Sequence, residues 1–231
     1  MNRYKHVFFD LDRTLWDFET NSESALKEIY KMFKLGERGI LEEAVFVSKY
    51  KEINEKMWGL YRKGFIKKSE LRSGRFSQTL IHFKVKDKKL GRELDEAYIN
   101  ISPHNTALVP GAMETLQYLK GRYQLHIITN GFEEVQFIKL SKSGIREHFD
   151  VIVTSERAKA RKPDAEVFQL AMLEAGTRAS ESIMIGDSLE SDILGARGVW
   201  MDQVYYNPEK SEHKEEITHE ISHLDELRTI L

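Results

Sequence analysis

The sequence predicts an α/β fold: a parallel sheet with helices on both faces, interrupted early by an inserted bundle of helices. Three observations carry this expectation. From about residue 105 onward, short apolar runs alternate with helix-patterned segments at the spacing of βαβ units. Residues 17–104 place apolar side chains at helical spacing and contain no convincing strand. Residues 6–9, His-Val-Phe-Phe, form an apolar run ahead of that helical stretch, so the first strand belongs with the later α/β region. The expected core is therefore discontinuous, formed by residues 1–16 and 105–231, with a helical cap domain over 17–104.

In chain order, the strand at 6–9 runs directly into Asp10 and Asp12. Thr20-Asn21-Ser22-Glu23 has the form of a capping box and predicts a helix from there through Leu35. Helical spacing continues through Val45, Phe46, Tyr50, Ile53, Met57, Leu60 and Tyr61, and further helices are expected near 69–83 and 87–100. In the second core segment, strands are expected at 123–129, 151–154, 182–186 and 199–205. Helices around 111–120, 133–143, 164–175 and 191–197 separate them. Pro163 suits a first helical position, and Gly144 and Gly176 suit C-terminal caps. Strand–helix alternation of this kind is Rossmann-like.

Composition narrows the function. The 231 residues are 41% hydrophobic and 31% charged, and 35 basic residues against 37 acidic ones leave a net charge of −2. This balance leaves no footprint for a nucleic acid polymer or an anionic membrane. The chain has no cysteine, which excludes disulfides, thiolate nucleophiles and cysteine-based zinc sites. It shows no signal-peptide core and no apolar run long enough to span a membrane. A cytoplasmic enzyme with no obligate protein partner is the expectation.

The chemistry sits where predicted strands end, the edge at which a parallel α/β sheet binds its ligands. Asp10 and Asp12 follow strand one. Side chains at i and i+2 of an extended segment share a side, so the two carboxylates can share a site. Such a pair is costly unless a cation or a proton offsets it, which points to a divalent metal, acid–base chemistry, or both. Thr129-Asn130-Gly131 follows the strand through Ile127 and Ile128, supplying a hydroxyl, an amide and a glycine that permits close backbone approach. Lys162, before Pro163, is expected beside the positive end of a helix dipole, a combination that favours an anion. Asp187 and Asp192 lie in the loop after the strand at 182–186. Together these islands offer four acids for a hard cation such as magnesium, and a hydroxyl, amides and a lysine for an oxyanion.

This constellation resembles the haloacid dehalogenase superfamily, most members of which are phosphatases. Asp10-Leu11-Asp12-Arg13-Thr14 is similar to its first motif, Thr129 to the second, Lys162 to the third, and Gly186-Asp187 with Asp192 to the fourth. All four occur in order, with room for a helical cap between the first two. Residues 11–18 and 186–193 look closest to the pyrimidine-type nucleoside 5′-monophosphatases. Arg13 is a departure, because members often carry glycine there. The position varies in the family, so Arg13 is not read as disabling.

The resemblance implies Asp10 as the nucleophile that forms an aspartyl-phosphate. It implies Asp12 as the group that protonates the leaving alkoxide and then takes a proton from water. It places Mg2+ on Asp10, Asp187 and the backbone carbonyl of Asp12, with Asp192 acting indirectly through metal waters or the loop. Thr129, the Asn130 amide and Lys162 would hold the phosphoryl oxygens. True dehalogenases lack an acid at the place of Asp12, so dehalogenation is disfavoured. The expected activity is hydrolysis of a small phosphorylated metabolite, a nucleoside 5′-monophosphate in the first instance. The rivals are a sugar-phosphate phosphatase, a phosphomutase and, from another class, a phospho-accepting signalling domain.

Three other features are weighed against these islands. His219-Glu220-Ile221-Ser222-His223 matches a zinc motif in form only, near the C-terminus and with no third ligand in view. The basic stretch 62–76 is read as a solvated helix and turn, the alternative being that Arg72 or Arg75 attracts an anionic substrate. Trp16, Phe18 and Trp58 are read as packing rather than as base-stacking residues.

Overall fold

The computed structural model describes residues 3–231. They divide into two compact units: the described residues up to Phe18 with Thr106–Leu231, and Glu19–Asn105.

The first unit is built on a six-stranded parallel sheet. Its strands are β1 (His6–Phe9), β2 (Gln124–Thr129), β3 (Val151–Thr154), β4 (Ser182–Gly186), β5 (Asp202–Tyr206) and β6 (His219–Ile221), ordered β3-β2-β1-β4-β5-β6. Parallel strands need crossovers that cover both faces, so both faces are apolar. Along β1 the alternation is plain. Val7 and Phe9 join a cluster with Leu125, Ile127, Ile183, Ile185 and Val204, while Phe8 joins one with Ile128, Val153, Met184 and Phe168. The order reverses between β1 and β4, so the ends of these two strands form the switch point where such sheets bind ligands.

The second unit is helical. Its elements are α1 (Phe18–Met32, from Glu19 on), α2 (Glu43–Arg62), α3 (Lys68–His82) and α4 (Lys88–Ile101). They close around Leu26, Ile29, Phe46, Tyr50, Phe76, Leu80, Leu94 and Tyr98. The remaining helices belong to the first unit: α5 (Ala112–Leu119), α6 (Glu133–Lys142), α7 (Ser155–Ala158), α8 (Ala165–Glu174), α9 (Gly195–Gly198) and α10 (Leu227–Ile230), with a wide turn of π-helix at Leu189–Leu194. No helix among the described residues is long and apolar enough to cross a membrane.

The structure corrects several local expectations. The helix α1 is already under way at Thr20, so the 20–23 sequence is no capping box. Glu23 pairs with Lys27 and Lys51. The fifth strand begins at Asp202 rather than Val199, because the chain turns at Trp200, whose φ is 62°. Pro163 precedes α8, which starts at Ala165 with Asp164 at its N-cap. Residues 219–221 form the sixth strand, which sequence reading passed over. The His-Glu-x-x-His pattern therefore lies on a strand and turn, where its two histidines do not share a helical face.

Arg75 is neither solvated nor free to meet a ligand. It is buried in the helical unit, where its Nη2 donates to Asp95 Oδ1 at 2.9 Å beside Arg72, 3.9 Å from the same carboxylate. Trp16 is fully buried, with its ring edge-on to Phe18.

Candidate active site

The parallel register sets which residues meet. Phe9 pairs with Ile127 on one side and Ile185 on the other, so all three strands end at the same edge. The Asp10 amide donates to Ile185 O at 2.9 Å, one step past β1. The chain then turns tightly: the Leu15 and Trp16 amides both donate to Leu11 O, and Arg13 sits at φ 68°. That left-handed conformation is a physical reason for glycine to be common at this point of the motif. Here the Arg13 guanidinium lies 4.7 Å from the Phe18 ring centre.

Asp10, Asp187 and Asp192 converge, with one carboxylate oxygen of each within 4.8 Å of the others. Lys162, fully buried, reaches into the cluster. Its Nζ lies 2.6 Å from Asp10 Oδ1 and 2.6 Å from Asp192 Oδ1, and donates to Ile128 O at 2.6 Å. A lone buried ammonium would lose its proton, but the carboxylates of Asp10 and Asp192 outweigh burial and hold Lys162 above its ordinary value. Burial first, then the nearby Asp192 and Asp187, push Asp10 well above the usual carboxylate range against the pull of Lys162. Burial, then Asp192, push Asp187 up to about 7. Three crowded carboxylates sharing one ammonium make a hard, oxygen-rich, charge-deficient site that fits a small divalent cation.

The flanking contacts fix these groups. Thr14 Oγ1 donates to Asp187 Oδ1 at 3.2 Å and accepts from the Asp187 amide at 3.1 Å. The Ser188 amide donates to Asp192 Oδ2 at 3.0 Å. Gly186 leaves room for that carboxylate, since a Cβ there would lie 2.3 Å from Asp192 Oδ2. Asn130 braces the Lys162 backbone, accepting from its amide at 2.8 Å and donating to its carbonyl at 3.0 Å. Thr129, buried at the end of β2, accepts from the Gly131 amide at 3.1 Å. A Cβ on Gly131 would collide with Gln136, 2.2 Å from its Nε2, so close approach is required there.

Asp12 stands apart from the triad. The sequence reading counted it as a metal residue through its backbone carbonyl, and its carboxylate has other partners. Lys139 Nζ donates to Oδ1 at 2.5 Å, and Gln136 Nε2 donates to Oδ2 at 2.9 Å. Gln136 also donates to Thr129 Oγ1 at 2.7 Å. Sequence reasoning missed both residues. In the sequence they are a glutamine and a lysine three positions apart in the expected helix, a spacing that places them on one helical face; their burial shows only in the structure.

Comparison with known proteins adds the wider context. The family model of the haloacid dehalogenase-like hydrolases matches residues 4–199. The chain is 32% identical over 232 residues to Pyrimidine 5′-nucleotidase YjjG of Escherichia coli, covering 99% of this chain and 98% of that protein. It is 32% identical to Pyrimidine 5′-nucleotidase PynA of Streptococcus pneumoniae, covering 91% and 86%. Among solved structures, the HAD-hydrolase YfnB of Bacillus subtilis bound to magnesium superposes with a TM-score of 0.88 at 29% identity, covering 99% and 98% of the two chains.

Proposed function

The chain belongs to the haloacid dehalogenase-like hydrolases, and from that premise we propose that it is a magnesium-dependent phosphomonoesterase that forms an aspartyl-phosphate on Asp10 and acts on nucleoside 5′-monophosphates. The observation that carries this reading is the buried cluster in which Lys162 Nζ joins Asp10 and Asp192 while Asp187 closes the triad. A carboxylate nucleophile must approach a phosphate dianion, and that approach requires positive charge already in place.

In this reading Asp10 and Asp187 with the Asp12 backbone carbonyl would hold Mg2+, and Asp192 anchors the surrounding loop and the Lys162 ammonium. When bound, the ion neutralises charge between the phosphoryl group and the carboxylates. The magnesium named with the YfnB structure supports the choice of metal. Lys162, the Thr129 hydroxyl and the Asn130 amide bind phosphoryl oxygens. Asp12 gives a proton to the departing alkoxide and takes one from the attacking water. The helical unit Glu19–Asn105 serves as a cap that admits the substrate and excludes bulk water during reaction. Similarity to two pyrimidine 5′-nucleotidases over most of the chain supports a nucleotide substrate.

The test is a phosphate-release screen of the full-length protein across pyrimidine and purine nucleoside monophosphates and sugar phosphates, with magnesium and with chelator. Release from nucleoside monophosphates that needs magnesium is the expected result. Turnover of none of them would overturn the proposal. Isomerised sugar phosphate without free phosphate would assign a phosphomutase instead.

A further inference from the structure

Asp12 is held by donors at both oxygens. Lys139 is nearly buried, and its Nζ lies 4.2 Å from the centre of the Trp16 ring as well as 2.5 Å from Asp12 Oδ1. The aromatic face and the carboxylate together confine an otherwise flexible side chain. Gln136 is fully buried, and its single amide nitrogen serves two acceptors, Asp12 Oδ2 at 2.9 Å and Thr129 Oγ1 at 2.7 Å. An ammonium has donors and no acceptor, and Gln136 presents its amide nitrogen. The cradle is therefore complementary to Asp12 as a proton acceptor.

Building on the reading of Asp10 as nucleophile and Asp12 as acid–base, we propose that Lys139 and Gln136 are positioning residues for the second half of the reaction. They hold the Asp12 carboxylate where it can take a proton from the water that hydrolyses the aspartyl-phosphate. In the first half, an Asp10 oxygen bonds to phosphorus, the bond from phosphorus to the alkoxide breaks, and Asp12 supplies the proton the alkoxide needs. That leaves Asp12 as a carboxylate, the form its two donors match. In the second half, a water oxygen bonds to phosphorus, the bond from phosphorus to Asp10 breaks, and the water proton passes to Asp12. Inorganic phosphate leaves and Asp12 regains its proton. Gln136 ties this acid–base to Thr129, so the proton-transfer group and a phosphoryl-binding hydroxyl share one anchor.

The half-reactions separate with 4-nitrophenyl phosphate, whose leaving group departs without a proton. In rapid mixing of the magnesium-loaded full chain, Lys139→Met should release about one equivalent of nitrophenolate per site at nearly the wild-type rate. Steady-state turnover should then fall on the order of 100-fold, the scale of a lost acid–base contribution, and intact mass should show an accumulated phosphoryl adduct. Gln136→Met, which also releases Thr129, should slow the first turnover modestly and steady-state turnover much more, and Lys139→Arg should restore part of the turnover. An equal loss in the first turnover and the steady state, or no loss in either, would overturn the positioning role. Failure of the underlying reading looks different: the wild type would not turn over, or Asp12→Asn would fail to trap the adduct.

Discussion

The buried pair of His6, at the start of β1, and His126, within β2, makes stability depend on pH. His126 is 1% exposed and stands in register with Phe8. Its Nε2 is 3.1 Å from His6 Nδ1, and its ring centre is 4.7 Å from that of Phe8. Only one of the facing nitrogens can carry a proton comfortably, since two protonated rings would oppose donor to donor. Burial, then the charge of His6, pull the His126 value down from 6.5 to about 4.

The unfolded chain takes up this proton near pH 6.5 and the folded chain only near 4, so between those values the unfolded state binds more protons. The contribution is fully present above pH 6.5 and is lost as pH falls toward 4. The slope is about 1.4 kcal/mol per pH unit, and the total about 3 kcal/mol. Urea unfolding, followed by tryptophan fluorescence, should be run at several values between pH 7.5 and 4.5 on the wild type and on His126→Phe. Carboxylate titration is common to both proteins and cancels in their difference. His6, lowered mainly by burial, titrates in the same range in both proteins and its share cancels as well. The wild type should lose about 2 kcal/mol more than the variant over this range. Parallel curves would refute the assignment of a depressed, buried His126.

Three further outcomes are expected. Asp10→Asn should fold, by circular dichroism, and lose phosphatase turnover on the order of 1,000-fold or more, as for other essential nucleophiles; retained turnover would remove Asp10 from the nucleophile role. Magnesium at about 100 times its Kd should stabilise the wild type by about 2.7 kcal/mol, measured as a rise in Tm, and Asp187→Asn should abolish most of that rise. Because Asp187 is raised to about 7, magnesium must displace its proton below that pH, so the magnesium-induced rise at a fixed magnesium concentration should be larger at pH 8 than at pH 6. Arg75→Met should cost up to about 3 kcal/mol by leaving the buried Asp95 carboxylate with only the more distant Arg72 guanidinium. Adding Asp95→Leu should recover much of that loss, as read by thermal unfolding.

Much of the α/β unit was legible because its signals are local. The apolar runs at 6–9, 124–129, 151–154 and 182–186 are strands for the reason the sequence displays: both faces of a parallel strand are buried, so the run is continuous. Where local signals competed, tertiary packing won. The capping-box pattern at 20–23 lost to a helix that starts earlier, and Val199–Met201 read as strand although the chain turns at Trp200 before β5 begins. The last strand, 219–221, is three residues long and polar at its first two positions. Its membership comes from pairing with β5, which no local pattern records.

By itself the sequence determined which groups stand at strand ends, because extended backbone places an end residue by counting. Once β1, β2 and β4 are parallel neighbours, Asp10, Thr129 and Asp187 must lie at one edge. Only the tertiary structure decided which partner each group has. Lys162 lies 152 residues from Asp10 in the chain and Lys139 lies 127 from Asp12, yet each is within 2.6 Å of its carboxylate. These pairs depend on how α6 and the segment before α8 pack against the sheet. Side-chain direction across such distances is set by packing and by the cost of burying an unpaired charge, neither of which is written in the spacing of the residues themselves.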